Sequence, residues 1–421
     1  MRIHRVSVNP DPYNTEPSPK KWEPKIRGAA LSMAFTDSET GLEAKPLLRP
    51  KMPELDCVRG VAILAVLFYH GFASRQNVEV FAGASKLFVR SASLGWTGVN
   101  LFFALSGFLI TGILLDGKHH PQYYRRFYLR RALRILPAYY GLLLLLALLG
   151  RYGLQGPTVS WAFLGLSVIY LANVTVLFGV PIQFGVLWSL AVEEHFYLIW
   201  PVIVRNVSRR KVGVLAVVIA VGATLARVVT WRLGYDYFAL YTWLVADGLA
   251  LGSLLAVLTR GPLGTRKGLK LISLAALLAS ALLIVPDLAL HGPLAGGALH
   301  LTALNLLCTA MVGGALLLGT SGWSFLAEHR TLRFFGEISY GLYLLHMLVF
   351  NIFDNLQHEF FPHSSSFKGH FGVMVVRFLI CGSLAIGSAF LSRRYFEEPF
   401  LRLKDRAVLP TPEVVREATA A

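Results

Sequence analysis

Two ionisable residues, Arg59 and His70, lie eleven positions apart in the first apolar stretch of the chain. Eleven steps of about 100° bring both side chains onto nearly one face of a helix, about 16 Å apart along its axis. Imidazole exchanges protons near neutral pH, so His70 is suited to act as a general base on a hydroxyl group. The alternatives are a structural histidine held by hydrogen bonds, and an Arg59 that pairs with Asp56 or Glu54.

Arginines are concentrated where another apolar run begins, at Arg130, Arg131 and Arg134. Arg131 and Arg134 stand one helical turn apart, and guanidinium groups at that spacing present donors suited to phosphate oxygens. The pattern therefore predicts a site for a phosphorylated ligand such as a nucleotide or coenzyme A. The alternative is that these arginines only mark the cytoplasmic end of a membrane span.

Two adjacent carboxylates, Glu193 and Glu194, lie inside a further apolar run and precede His195. Adjacent helical residues point about 100° apart, so the two carboxylates cannot both face one cavity squarely. We expect one of them to orient His70 or hold a proton, and the other to pair with an arginine. A carboxylate inside the membrane has a high free-energy cost, which favours a functional role over a purely structural one.

A stripe of polar residues recurs at spacings of four and three, at Ser339, Tyr343 and His346, so its members share one face of a helix. Such stripes also form ordinary hydrogen bonds between membrane helices. The sequence contains no Gly-x-Ser-x-Gly elbow, Walker loop or dinucleotide fingerprint. The pair His119–His120 has no further ligands at metal spacing, and we predict no metal site.

Composition identifies the kind of element that must position these residues. Of 421 residues 55% are hydrophobic and 15% are charged, and the mean hydropathy is +0.55. Soluble proteins carry nearer a quarter charged residues, because their surface faces water. A net charge of +16 would suggest nucleic acid for a soluble protein, but in a membrane protein it is explained by basic cytoplasmic loops. We therefore expect lipid, and no nucleic acid, as a partner.

Eleven apolar runs are long enough to be considered as membrane spans. They fall at residues 56–74, 94–115, 132–149, 160–178, 186–204, 212–231, 237–258, 269–286, 300–319, 338–356 and 371–392. If all eleven crossed, the basic clusters at 205–211 and 260–270 would lie outside the cell, against the positive-inside rule. If the run 160–178 is re-entrant or interfacial, these clusters return to the cytoplasm.

The predicted fold is therefore an all-α polytopic integral membrane protein with about ten transmembrane helices and one re-entrant or interfacial segment. Both termini are predicted to be cytoplasmic, and the protein to be a multi-pass component of the inner (plasma) membrane. Residues 1–53 form a partly disordered cytoplasmic tail in this prediction, residues 54–400 the transmembrane domain, and residues 401–421 a second cytoplasmic tail.

The four polar blocks occur together and in a fixed order, and in this they resemble the membrane-bound acyltransferase 3 family over residues 54 to about 400. The matching positions are Arg59 and His70, Phe102 to Phe108, Arg131 and Arg134, Trp188 to Tyr197, Ser339 to His346, and Glu397 to Pro399. The resemblance implies O-acyl transfer from cytoplasmic acyl-CoA, with acetyl-CoA as the smallest common donor. The acceptor would be a hydroxyl of an extracytoplasmic or lipid-linked molecule, commonly a carbohydrate.

Joined to the residue patterns, the resemblance implies a general base, His70, oriented by Glu194 rather than Glu193. The full set of expected catalytic residues is His70, Glu194, Glu193 and Arg59, and that of donor-binding residues is Arg131, Arg134, Arg130, Tyr343 and His346. The alternative function is a proton-coupled membrane transporter that uses the same buried histidine and glutamates. The sequence does not indicate an oligomeric state.

Overall fold

Helices make up all the regular secondary structure of the residues that the structure, a computed structural model, describes: 46–49, 51–74, 76–151, 159–234, 240–289, 298–321, 329–360 and 370–406. In chain order the α-helices are α1 (Pro53–Phe68), α2 (Gly83–Ser93), α3 (Gly98–Asp116), α4 (Tyr123–Arg151), α5 (Trp161–Val168), α6 (Leu187–Asn206), α7 (Arg209–Arg232), α8 (Thr242–Val245), α9 (Asp247–Leu258), α10 (Arg266–Ala289), α11 (Ala298–Gly319), α12 (Arg330–Phe360), α13 (Phe371–Leu391) and α14 (Glu398–Arg406). Most of the predicted tails 1–53 and 401–421 lies outside the described residues.

Eight helical segments of the described ranges are long and apolar enough to cross a membrane, which confirms an all-α polytopic membrane protein. They are Pro53–Ala73, Gly83–Asp116, Tyr123–Arg151, Leu187–Asn206, Arg209–Arg232, Arg266–Val285, Leu299–Gly319 and Phe371–Leu403. Of the other two predicted spans, 237–258 contains α9, of 12 residues, and 338–356 lies within α12, of 31 residues. The count of about ten crossings and the cytoplasmic position of both termini stay predictions.

The run 160–178 does not form one spanning helix. Its α5 has eight residues and rises about 12 Å, against a hydrocarbon core of about 30 Å. The end of α5 and the irregular segment after it pack against protein: Tyr139 OH donates to Ser167 O at 2.7 Å, and Asn173 Nδ2 donates to Thr242 Oγ1 at 2.9 Å. This is the environment in which a membrane protein tolerates non-helical backbone, and it fits the predicted re-entrant or interfacial segment.

Close helix contacts at glycines set the walls of the site. A Cβ on Gly107 of α3 would lie 2.0 Å from Leu249 O of α9, and one on Gly252 would lie 2.1 Å from Ala104 O. Glycine at these positions lets the two backbones touch. Gly60 brings α1 equally close to α12, because a Cβ there would lie 2.0 Å from Leu332 O.

Candidate functional site

A cavity of about 100 Å³, which we call the arginine cavity, lies between α1, α3, α4, α6 and α12. Most of the predicted site residues meet in it. Its polar lining consists of Arg59, Ser106, Arg131, Arg134, Ser189, Glu193, Glu194, Tyr197, Ser339, Tyr340 and Tyr343. Five separate stretches of the sequence thus contribute to one space.

The charges of the arginine cavity are joined through Tyr197. Its hydroxyl donates to Glu193 Oε2 at 3.1 Å and lies 2.6 Å from Ser106 Oγ. A carboxylate only accepts, so Ser106 is the donor in the second contact. The Arg131 guanidinium lies over the Tyr197 ring, 5.4 Å from its centroid, and Arg59 pairs with Asp56 at 2.7 Å. This contact is the one that the alternative interpretation of Arg59 described.

A second space, the mouth cavity of about 290 Å³, shares Arg59, Arg134 and Tyr340 with the arginine cavity. Its charged lining is Asp56, Arg59, Arg134, Glu337, Arg393, Glu397, Glu398 and Arg402. A neighbouring cavity of about 280 Å³ is lined by Arg126, Arg130 and Arg131. The predicted arginines therefore line adjoining cavities, and in the mouth cavity four carboxylates accompany four arginines.

The histidine cavity, of about 290 Å³, lies on the other side of the arginine cavity and shares Val99, Phe103 and Tyr343 with it. Its lining consists of aromatic and aliphatic side chains around one imidazole and one amide: Val66, Tyr69, His70, Trp96, Val99, Asn100, Phe103, Gly185, Val186, Trp188, Val245, Leu301 and Tyr343. Tyr343 OH lies 2.5 Å from Ser189 Oγ where the two cavities meet.

His70 lies in a short π-helical turn, Tyr69–Ala73, that continues α1. Such turns inside helices are frequent at functional sites. His70 Nδ1 lies 3.0 Å from Val66 O and 3.2 Å from His346 Nε2, while His346 Nδ1 lies 2.9 Å from Leu342 O. A carbonyl oxygen only accepts, so Nδ1 of each ring carries the proton. Nε2 is then the basic nitrogen of His70.

The structure differs from the sequence analysis in the group beside His70. His346, which we placed with the donor-binding residues, occupies the position that we expected Glu194 to take. Glu193 and Glu194 instead line the arginine cavity. The reason is the depth of α6: Trp188, near its start, lines the histidine cavity, and Glu193 lies more than one turn further along the helix.

Sequence analysis missed an ion pair next to this turn, between Arg377 of α13 and Asp354 of α12. Arg377 Nη1 also donates to Gly71 O at 3.1 Å, one residue after His70. Each is an isolated charge inside a run that the sequence predicted to cross the membrane. A charge inside the membrane is costly in free energy, and this could have marked both residues as members of a pair. The sequence does not show which residues of two different helices are in contact, because that depends on the packing.

Comparison with known proteins matches residues 52–393 to a family described as an acyltransferase domain. The peptidoglycan O-acetyltransferase OatA of Listeria monocytogenes is 28% identical over 330 residues, which cover 71% of this chain and 49% of that protein. A Bacillus subtilis protein provisionally named a peptidoglycan O-acetyltransferase is 34% identical over 166 residues, 36% of this chain and 23% of its own.

A Staphylococcus aureus protein provisionally named an O-acetyltransferase is 27% identical over 385 residues, 83% of this chain and 57% of its own. The chain thus spans about half the length, or less, of these relatives. No solved structure matches. The family match covers most of the chain and includes every residue that lines the arginine and histidine cavities. This protein therefore belongs to the membrane-bound acyltransferase 3 family.

Proposed function

We propose that this protein transfers an acyl group, acetyl in the simplest case, from acyl-CoA to a hydroxyl of a carbohydrate acceptor. The observation that carries the proposal is the sequence of adjoining cavities, from the mouth cavity through the arginine cavity to His70. The guanidinium groups of Arg59 and Arg134 lie at one end of this path, and the His70 imidazole lies at the other. The names of the matched relatives support acetyl as the group transferred.

Coenzyme A fits this path by its charge and its length. Arg131 and Arg134, with Arg130 beside them, offer planar donors for its phosphates, and Arg59 lines both the mouth and the arginine cavity. The pantetheine arm then extends past Arg59, and the roughly 16 Å from Arg59 to His70 is of the order that such an arm covers. The thioester is placed where Tyr343 separates the two cavities.

Transfer needs one proton to move out of the acceptor hydroxyl and back to sulfur. His70 Nε2 takes the hydroxyl proton as the oxygen attacks the thioester carbonyl, which forms the ester C–O bond. The C–S bond breaks, and the imidazolium returns the proton to the leaving thiolate, so the products are ester and free thiol. The carbonyl of Val66 holds the other ring nitrogen as a donor throughout, and His346 lies against it.

Glu193 and Glu194 balance the charge of the arginines in this mechanism. Tyr197 contacts both charges, because its hydroxyl donates to Glu193 and its ring lies under the Arg131 guanidinium. In our sequence-based assignment Glu194 orients the imidazole; we now assign that role to His346, and place both carboxylates with donor binding. Tyr343 lines both cavities and positions the thioester.

The acceptor enters the histidine cavity, where Trp96 and Trp188 offer flat apolar faces of the kind that sugar rings stack on. With the N-terminus cytoplasmic, α1 runs outward from Arg59 to His70. The mouth cavity then faces the cytoplasm, where coenzyme A is made, and the histidine cavity faces the outside of the inner membrane. An envelope glycan such as peptidoglycan, the substrate in the name of the Listeria relative, fits this side.

The test is the release of free thiol from acetyl-CoA by the purified protein in detergent or nanodiscs, with a muropeptide or oligosaccharide acceptor. We expect thiol release and an acceptor mass increase of one acetyl group, both lost in the His70→Ala variant. A proton-coupled transporter would instead move its substrate without thiol release. Absence of thiol release with a folded protein and several acceptors would reject the transferase.

A further inference from the structure

An ion pair adjoins the turn that carries His70; its arginine is buried and its aspartate is partly exposed. The Arg377 guanidinium meets the Asp354 carboxylate through two parallel contacts, Nε–Oδ1 at 2.6 Å and Nη2–Oδ2 at 2.7 Å. Arg377 is 7% exposed. Neither side chain lines the arginine, mouth or histidine cavity, so the proposed function gives this pair no role.

The third nitrogen of the Arg377 guanidinium reaches the backbone of the π-helical turn. Nη1 donates to Gly71 O at 3.1 Å, and Gly71 directly follows His70. The carbonyls of the last turn of a helix have no partner within that helix, and a side-chain donor at this point fixes where the turn ends. The turn is also closed by Ser74 N donating to Tyr69 O at 2.9 Å.

The next residue of α13 packs against the same turn. A Cβ on Gly71 would lie 2.3 Å from the Phe378 ring, and that ring lies 4.6 Å from the Phe72 ring, centroid to centroid. The Arg377 guanidinium in turn covers Phe350 of α12 at 4.6 Å. Consecutive residues of α13 thus hold the turn by a hydrogen bond and by ring packing.

One helix, α12, acts on His70 from two positions. His346 lies against the His70 ring, and Asp354, about 12 Å further along the same helix, holds the arginine that binds Gly71 O. We propose that Arg377, held by Asp354, is a positioning residue for acyl transfer. It fixes the π-helical turn so that His70 Nδ1 stays on Val66 O and Nε2 faces the histidine cavity. This inference rests on the proposed function for its kinetic test, and on geometry alone for its labelling test.

Stability alone gives no reason for this arrangement. Well-packed apolar residues often replace a buried ion pair without loss of stability. A lysine at position 377 would keep the charge but lose the planar fork and the third donor at Gly71 O.

The kinetic test compares Arg377→Lys with Arg227→Lys. Arg227 is a matched control, because it also makes two contacts to a buried aspartate, with Nη2 2.8 Å from Asp247 Oδ2, yet it lines none of these cavities. We expect Arg377→Lys to lower kcat about 10- to 100-fold with KM for acetyl-CoA within about twofold, since misplacing a reacting group by an ångström has effects of that size. Arg227→Lys should leave kcat per folded molecule within about twofold.

The second test does not need catalysis. The rate at which diethyl pyrocarbonate acylates His70 is measured by peptide mass spectrometry, with the exposed His119 as internal reference. We expect Arg377→Lys to change the His70 rate at least about threefold, and Arg227→Lys to leave it unchanged. If the wild-type protein transfers no acyl group, the proposed function fails, and this labelling result alone then decides whether Arg377 positions His70.

Exchanging the two charged residues distinguishes a loss of activity from a loss of folding. In the double variant Arg377→Asp with Asp354→Arg the ion pair returns, but its guanidinium now starts from α12. We expect the exchange to recover protein yield and thermal stability relative to Arg377→Asp, while kcat and His70 labelling stay altered. The positioning role is overturned if the exchange restores kcat, or if folded Arg377→Lys shows wild-type kcat and wild-type labelling.

Discussion

The arginine cavity and the histidine cavity share α1, α3, α6 and α12 but differ in chemistry. α1 supplies Arg59 to the first and His70 to the second, and α12 supplies Ser339 to the first and His346 to the edge of the second. The first holds guanidinium and carboxylate groups, and the second holds aromatic rings and an imidazole. Charged groups and the imidazole are thus separated by depth along shared helices, with Tyr343 lining both cavities. In the proposed function this separates donor binding from proton transfer.

The largest effect is expected at the histidine cavity. His70→Gln keeps much of the side-chain volume but removes the proton acceptor, so we expect kcat to fall about 10³-fold or more with little change in KM for acetyl-CoA. Single-turnover acetyl transfer measures this, and His119→Gln, at an exposed loop position, serves as control. Near-wild-type kcat in folded His70→Gln would remove the difference between the two cavities.

Substitutions in the arginine cavity should change KM for acetyl-CoA and not kcat. Arg134→Lys keeps the charge but loses the planar fork, so we expect KM for acetyl-CoA to rise about 10- to 100-fold, as for losing about 1.5–3 kcal/mol of charge-assisted hydrogen bonding. The change in kcat should stay within about threefold. The control is Arg151→Lys, an exposed arginine at the other end of the same helix. An effect confined to kcat would contradict a donor-binding role.

A third pair of variants asks which residue supports His70. We expect His346→Gln to lower kcat about tenfold, because it removes the ring that lies 3.2 Å from His70 Nδ1. Glu194→Gln should act mainly on KM for acetyl-CoA, because Glu194 lines the arginine cavity. Steady-state kinetics at varied donor concentration separate the two parameters. The reverse order would return Glu194 to the role that sequence analysis gave it.

The smallest expected effect concerns the shared wall formed by α3. Gly107→Ala places a Cβ 2.0 Å from Leu249 O, so α3 and α9 must separate, and we expect a loss of about 1–3 kcal/mol in unfolding free energy. Gly222→Ala is the control, since a Cβ there meets nothing within 4 Å, and the gain in helix propensity is about 0.5–1 kcal/mol. Thermal unfolding in detergent measures both. Because α3 borders both cavities, any kinetic change in Gly107→Ala should affect KM and kcat together.

Much of the fold was predictable because apolar length and basic loops are local properties. Charge placement set the run 160–178 apart from the other ten, and the structure gives that run a helix, α5, of only eight residues. The grouping of Arg59, Arg131, Arg134 and the glutamates in one cavity was expected only in part. Spacing along one helix gives a face, but it does not say which face of another helix meets it.

The sequence by itself determined the membrane class, the helical runs and the residue types available for chemistry, since these depend on composition and on period along a single chain. Tertiary structure alone decided the neighbours of His70. The π-helical turn changes the direction of its side chain by a fraction of a turn, and α12 brings His346 and Asp354 from nearly 300 residues away in the sequence. Such contacts depend on how helices pack, and packing is set by shapes that no single segment contains.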